Sequence, residues 1–548
     1  MPPLRFGTAG VRAPLGDGPG RMNAGTVELV ATAVARHLRE QEPPGSTVVV
    51  GGDACHGSAQ FVDVAAAVLA AAGFVVVVPG APVPTPVVAA AVRSRDAAAG
   101  LMVTASHNPP TDNGIKVFGR GGAQIVPPTD AHIEAHLVAA ARAGIGPGPD
   151  GAPAPPAASG SDDDETAPRG ATGVGRGRGV VRVDPTLVDD YVDAVVARIP
   201  TPARPPRVAL TPVHGVGGEI CVRVLAGIGV HDVTMVAEQA APDPDFPTVD
   251  SPNPERAQTT ARLLELAARI GADVAVALDP DADRCAVGVA GPDGRWRMLD
   301  GDQTGAVLAD HLLREPPAAG PGGDTGGAGV PVVASTIVSS RLPSLLVPAR
   351  GGRHVETLTG FKWLVRAGRP LRYAYEEAIG HCVLPEVVAD KDGISAAAAW
   401  CAMAGSGGPA VGERLEALEA EFGAHLRRNG ALPLADGADP TVALNRAAAV
   451  FGGSDVTDPP GTPVAPRKSA GAAAPLRRLV VRPLDGTAGI RIDVDGARAV
   501  IRPSGTEPLL KTYVEAWTPP APTASDRADA ELRLTRLAEA VAGAVAGG

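Results

Sequence analysis

The chain has 548 residues, of which 45% are hydrophobic but only 3% aromatic, and carries a net charge of −11. That length exceeds a single core and predicts roughly three to five domains, with interiors built from Ala, Val, Leu and Ile. No Lys/Arg run interleaves with aromatic residues, which argues against a nucleic-acid partner, while a local cationic pocket for a phosphorylated substrate remains compatible with the acidic balance.

Five scattered cysteines (Cys55, Cys221, Cys285, Cys382, Cys401) form no CxxC pair and point to a reducing compartment. The opening "MPPLRFGTAGVRA" lacks a signal-peptide core, and no apolar run reaches ~18 residues. The expectation is a cytoplasmic protein with no membrane span.

In chain order, "STVVVGGD" (Ser46–Asp53) reads as a buried strand. "SAQFVDVAAAVLAAAG" (Ser58–Gly73) reads as a helix with a Ser cap and a Gly stop, and "FVVVVPG" as the next strand. The run Gly100–Val103 then brings a strand up to Ser106. Gly144–Gly179 cannot pack a core and reads as a disordered insertion. The strand–helix rhythm returns in "RVALTPVHGVGG", "ADVAVALDPDADR" and "VPVVASTIVSS". Pro316–Gly329 is a second insertion, and Gly452–Ala474 a third weak segment. Continuous Val/Ala strands alternating with helices predict parallel sheets covered on both faces. From Arg477 short alternating strands with Asp-Gly turns predict antiparallel hairpins, covered by a helix over about Ala528–Ala542. The expected fold is α/β: three similar domains with mixed, mostly parallel sheets and a smaller C-terminal α+β domain. Their expected boundaries are 1–183, 184–299, 300–430 and 431–548.

Four loops carry residue types suited to chemistry. In "VTASHNPPTDNGIKV", Ser106 sits at a strand's end, where its hydroxyl projects from the ligand-binding edge of an α/β sheet. Pro109-Pro110 stiffens the loop beyond it. A serine there also serves as a turn or cap residue. In "LDPDADRCAV", Asp279, Asp281 and Asp283 alternate, and in an extended loop they point to one side. Three crowded carboxylates repel unless a cation joins them, and oxygen-only ligands favour Mg²⁺; a solvated acidic turn is the other reading. In "YAYEEAIGHCV", Glu376 and Glu377 suit sugar hydroxyls or a helix start. In "IRPSGTEP", Arg502, Ser504, Gly505 and Thr506 suit a phosphate dianion or an ordinary hairpin turn.

Together, in this order, "TASHNPPTDNGIKV", "DPDADR", "EEAIGH" and "RPSGTEP", with "FGTAGVR" (Phe6–Arg12), resemble the α-D-phosphohexomutases, the phosphoglucomutase/phosphomannomutase superfamily. "PDPDFPTVDSPNPE", "TPVHGVGG", "TLTGFKW" and "DKDGISAA" lean toward the branch with phosphopentomutase-type and bacterial phosphoglucomutase-type enzymes. The resemblance implies four domains around a central cleft, each contributing one loop. It also implies phosphate transfer between C1 and C6 of a hexose phosphate through phosphoserine and a bisphosphorylated sugar. By the same resemblance Ser106 carries the phosphoryl group, and one Mg²⁺ per chain is held by Asp279, Asp281, Asp283 and a phosphoserine oxygen. Arg12, His107 and Lys116 stand beside the transferring group, with His107, Lys116 and His381 as candidate acid/base groups. Arg284, Glu376 and Glu377 meet the sugar, and Arg502, Ser504, Gly505 and Thr506 hold the idle phosphate. A sugar 1,6-bisphosphate is the intermediate and activator. The partner is a small phosphosugar, and the molecule is a monomer or homodimer. Two departures stand out: Cys55 replaces an Arg common in the family, and Ala378 removes a sugar-loop hydroxyl. The alternatives are a phosphopentomutase (C1/C5) and a metal-dependent phosphosugar phosphatase.

Overall fold

The computed structural model describes residues 10–145, 179–315, 329–434, 439–452, 480–484, 486–504 and 509–546. The three weak segments anticipated from composition fall almost wholly outside them. The described chain forms four sheets.

The first sheet comprises β1 (Val11–Pro14), β2 (Thr47–Gly52), β3 (Val75–Val78), β4 (Ala99–Val103), β5 (Asp112–Gly119) and β6 (Val180–Val183), in the order β1-β5-β4-β2-β3-β6. Strands β4, β2, β3 and β6 run parallel, and β5 folds back antiparallel on β4. The second contains β7 (Val208–Thr211), β8 (Val233–Met235), β9 (Val274–Leu278), β10 (Cys285–Ala290) and β11 (Trp296–Met298), in the order β11-β10-β9-β7-β8. The third contains β12 (Val332–Thr336), β13 (Arg353–Thr357), β14 (Leu371–Glu376) and β15 (Gly380–Cys382), in the order β13-β12-β14-β15. Each of these sheets is mixed and mostly parallel or evenly divided, as alternating strand and helix patterns require.

The same device recurs in all three. A buried parallel strand turns back at its carboxyl end into an antiparallel partner: β4 into β5, β9 into β10, β14 into β15. Each turn is one of the loops singled out from sequence. The fourth sheet is antiparallel throughout, with β16 (His425–Pro433), β17 (Val480–Pro483), β18 (Ile490–Val494), β19 (Ala497–Pro503) and β20 (Leu509–Trp517). The Arg502 loop lies between β19 and β20.

Several local expectations change. Strand β16 pairs with β20 along its whole length, so a boundary at 430/431 would cut a strand of the fourth sheet. Ser58 is the first residue of the helix Ser58–Ala71, and Gly57 at φ 80° precedes it as cap. The Ser58 hydroxyl instead donates to Asp53 Oδ1 at 2.8 Å. The last helix spans Ala524–Ala546, longer than its apolar stripe predicts.

Val and Ala fill the interior. One continuous cluster links the first three units, from Val87 and Met102 through Leu210 and Leu278 to Val333 and Trp400. The helix Gly393–Ala404 is buried along nearly all its length, and its all-round apolar sequence is what a helix wedged between units requires. Among the described residues no helix is long and apolar enough to cross a membrane.

Candidate active site

The β4–β5 turn places Ser106 in a left-handed conformation, φ 55°. A non-glycine residue rarely adopts it. The Ser106 N–H donates to Thr104 Oγ1 at 2.7 Å, fixing the turn. The Ser106 hydroxyl donates to Asp279 Oδ2 at 2.9 Å and is almost inaccessible, with 2% of the residue exposed. Past the two prolines, the Asp112 N–H donates to Pro109 O, and the Asn108 side chain donates to Asp112 Oδ2. The tip is thus a closed, stiff turn. Arg12 on β1 lies opposite Gly114 on β5. A Cβ at Gly114 would sit 2.7 Å from Arg12 Cγ, so glycine lets the Arg12 chain lie across the strand and donate to Asn108 Oδ1 at 3.4 Å.

The β9–β10 turn carries the three aspartates. It is a tight turn, not the extended loop that simple alternation suggests. The Ala282 N–H donates to Asp279 O, and Ala282 itself is left-handed at φ 52°. The Arg284 N–H donates to Asp279 Oδ1 at 3.0 Å. The turn gathers one carboxylate oxygen from each aspartate within 4.8 Å of the others, all three buried. Asp281 Oδ1 and Asp283 Oδ1 are buried with no hydrogen-bond partner among the described residues.

Lys116 reaches in from β5 and donates to Asp281 Oδ2 (2.6 Å) and Asp283 Oδ2 (2.5 Å), leaving those two Oδ1 atoms uncovered. Burial, then Asp281 and Asp283, hold the Asp279 carboxyl well above the usual range. Asp283 is held below it: burial opposes, but Lys116, Lys391 and Arg284 outweigh it. Uncovered, buried, oxygen-only donors beside a serine hydroxyl fit a hard divalent cation.

Gly215 makes this turn possible. A Cβ there would lie 2.4 Å from both Cα and O of Pro280. Gly215→Ala is therefore expected to cost about 1–3 kcal/mol and to lower kcat by displacing the aspartates. A melting temperature and kcat equal to wild type would contradict this contact.

The Glu376–Glu377 loop is stitched to the aspartate turn. The Cys285 N–H donates to Ile379 O, and Arg284 bridges Gly380. Glu376, pushed up to about 7 by burial despite Lys391 and Arg284, ends β14. Glu377 Oε2 accepts from Thr336 Oγ1 (3.0 Å) and Ser339 Oγ (3.3 Å). Arg284 lies 3.9 Å from Glu255.

His381, expected among the acid/base candidates, is fully buried. It pairs across the hairpin with Tyr375 and shares its face, against the helix Gly301–Arg314. Its ring nitrogens meet Tyr373 Oη (2.6 Å) and Thr304 Oγ1 (3.5 Å), and burial pulls it down to about 3. It packs the interior of the third unit. His107, by contrast, makes no side-chain hydrogen bond among the described residues. Burial, Arg284 and Arg12 hold it well below the ordinary imidazole range.

Arg502, at the tip of β19, donates to Tyr513 Oη at 2.9 Å and stacks over its ring. Ser504 lies two residues further on. Gly505 and Thr506 lie outside the described residues.

Two residues escaped sequence reasoning. Thr85, opening the helix Thr85–Ser94, donates its hydroxyl to Asp281 Oδ2 at 2.5 Å and its N–H to Asp281 O. Its only sequence signal is the rigid Pro84-Thr85-Pro86. Lys391 places Nζ 3.2 Å from Asp283 Oδ2; a lysine between two aspartates in "DKDG" was the available sign. Cys55 is half-buried, its thiol donating to Asp53 Oδ2 at 3.2 Å, and burial and Asp53 push its pKa up.

A buried serine hydroxyl, a carboxylate trio and surrounding cations define a phosphoryl-transfer site. Family models described as phosphoglucomutase/phosphomannomutase match the chain at residues 3–143 (alpha/beta/alpha domain I), 189–291 (domain II), 300–422 (domain III) and 454–532 (C-terminal domain). The chain is 31% identical over 507 residues to a protein of Haemophilus influenzae named "Probable phosphomannomutase", covering 90% of this chain and 93% of that one. It is 31% identical to the Staphylococcus aureus (strain bovine RF122) phosphoglucomutase, over 71% of this chain and 66% of that one. The mouse phosphopentomutase is also 31% identical, over 77% and 68%. In fold it is similar to a phosphoglucomutase/phosphomannomutase family protein of Burkholderia thailandensis (TM-score 0.70, 19% identity, covering 99% and 98%). The open form of Paramecium parafusin, a phosphoglucomutase, has a TM-score of 0.68 at 18% identity, covering 98% and 95%. The chain belongs to the phosphoglucomutase/phosphomannomutase family and is a phosphohexomutase, an isomerase that works by phosphotransfer.

Proposed function

We propose that this chain moves a phosphoryl group between C1 and C6 of a hexose phosphate through a phosphoserine at Ser106. The observation that supports it most strongly is the buried Ser106 hydroxyl, 2.9 Å from Asp279 within the carboxylate trio. One magnesium ion per chain, when bound, supplies charge stabilisation to the phosphoryl oxygens. Asp279, Asp281, Asp283 and Ser106 are the residues that would hold it.

Arg12 and Lys116 add fixed positive charge beside Ser106. In the first half-reaction the bond from phosphorus to Ser106 Oγ breaks and one to the free sugar hydroxyl forms. The sugar oxygen gives up one proton and Ser106 Oγ takes one. The bisphosphorylated sugar then turns over, and the reverse exchange returns its other phosphate to Ser106. Glu376, Glu377 and Arg284 orient the sugar; Arg502 with Ser504, Gly505 and Thr506 holds the phosphate that is not reacting.

We assign the proton to His107 on geometry. Its ring nitrogens are unengaged among the described residues, whereas Lys116 already donates to three oxygens. His107→Ala is expected to lower kcat about 10²- to 10⁴-fold with little change in KM. An unchanged kcat would move the role elsewhere.

Ala378, which brings no hydroxyl to the sugar loop, favours a second reading, a phosphopentomutase. Coupled assays on glucose 1-phosphate, mannose 1-phosphate and ribose 1-phosphate decide. The expected result is faster turnover of a hexose; faster turnover of ribose 1-phosphate establishes the second reading. Release of inorganic phosphate without isomerisation would overturn both. Five free cysteines support action in the cytoplasm, as a monomer or homodimer that sedimentation would distinguish.

A further inference from the structure

A second group of metal-ligating side chains lies in the first unit and shares no residue with the aspartate trio. The helix Ala24–Arg39 carries His37 in its last turn, and Glu40 is its cap residue. The helix Thr129–Arg142 packs against it and carries His132 and His136. His and Glu three apart on one helix, and two His four apart on the other, bring all of them to facing sides. Metal sites between helices are built on such spacings.

We propose that His37, Glu40 and His136, with His132 beside them, form a binding site for a transition-metal dication of the zinc class. One ligand atom from each of His37, Glu40 and His136 lies within 4.8 Å of the others. His136 Nε2 and Glu40 Oε1 are 3.2 Å apart. The His37 ring centroid is 6.1 Å from that of His132 and 6.4 Å from that of His136. Bonds of about 2.1 Å in a tetrahedron set ligand atoms roughly 3.4 Å apart. Small rotamer shifts of the exposed Glu40 and the partly exposed His136 close that difference.

His37 supplies an independent sign. It is only 4% exposed, yet its Nδ1 has no hydrogen-bond partner among the described residues. A buried polar nitrogen left unsatisfied is costly and uncommon. The donor set also separates the two sites: imidazoles suit zinc, cobalt, nickel or copper, whereas carboxylates and hydroxyls suit magnesium.

The test uses the full chain without a histidine tag, in saturating Mg²⁺ so that the aspartate trio is taken. It is titrated with Co²⁺ as a coloured probe and then with Zn²⁺ in competition. One equivalent of Co²⁺ should produce visible d–d absorption that Zn²⁺ displaces, and Zn²⁺ should raise the melting temperature. His136→Ala and Glu40→Gln should each weaken binding at least ~10-fold while leaving mutase activity unchanged. His37→Asn, checked for folding by circular dichroism, should do the same to binding. Asp281→Asn should leave the absorption intact. No uptake, an unaltered spectrum in His136→Ala, or loss of the spectrum in Asp281→Asn would each overturn the assignment.

Discussion

Replacing Ser106 with alanine is expected to lower mutase turnover by about 10⁴-fold or more, as removal of a nucleophile does elsewhere. The reason is chemical: among the described residues no other hydroxyl is held against the aspartate trio in the same way. Thr85 also donates to Asp281, but it opens a helix and is wedged against Lys116. A glycine variant separates chemistry from conformation. Ser106 sits at φ 55°, a region that costs an L-residue about 1–2 kcal/mol and glycine almost nothing. Ser106→Gly should therefore melt at or above Ser106→Ala and be equally inactive. An alanine variant retaining more than a few per cent of wild-type kcat would remove Ser106 from the reaction.

Glu515→Ala should show the largest loss of stability, about 3–5 kcal/mol. Glu515 is 2% exposed. It accepts from Arg498 Nε at 2.6 Å, from the Arg341 N–H at 3.1 Å and from the Ser340 hydroxyl, and pairs with His425 Nδ1 at 2.9 Å. Arg498, also buried, donates in addition to Ser339 O. This carboxylate on β20 therefore ties the fourth sheet to the Ser339–Arg341 segment just beyond β12. Truncating it leaves the buried Arg498 guanidinium with only the part-exposed Glu356, 3.7 Å away, as a counter-charge.

The pH dependence has a definite sign. Burial pushes the Glu515 carboxyl up, but Arg498, His425 and Arg427 hold it well below the usual range. A depressed folded pKa stabilises above the unfolded value, about 4.3, and that contribution is lost as pH falls through the folded one. Urea midpoints of wild type and Glu515→Ala should differ fully at neutral pH and converge below about pH 4. A difference under 1 kcal/mol at pH 7, or one that grows on acidification, would contradict this.

The first three loops were legible in the sequence because each sits where a strand-like stretch gives way to Ser, Asp or Glu. Strand periodicity marked β2, β4 and β9, and the carboxylate spacing marked the trio. What periodicity missed is the turn geometry. The three aspartates converge because Ala282 turns left-handed and Arg284 N–H caps Asp279, not because alternate residues point one way. His381 suits acid/base chemistry by residue type, but local sequence does not say which way it faces. Two-residue alternation in β15 turns it to the opposite face from Glu376, beside Tyr373. Thr85 and Lys391 lay hidden for another reason: each reaches the aspartates from a distant stretch of chain, through tertiary packing that no local pattern encodes. Strand β16 escaped because its pairing partner, β20, lies 84 residues further along from His425 to Leu509.

The most direct measurement of the central claim is intact and peptide mass before and after incubation with glucose 1,6-bisphosphate, followed by addition of glucose 1-phosphate. The expected result is a gain of one phosphoryl mass on the peptide containing Ser106, discharged by the monophosphate and absent from Ser106→Ala. A fully active enzyme that never gains that mass, or that gains it on a different residue, would contradict a phosphoserine relay at Ser106.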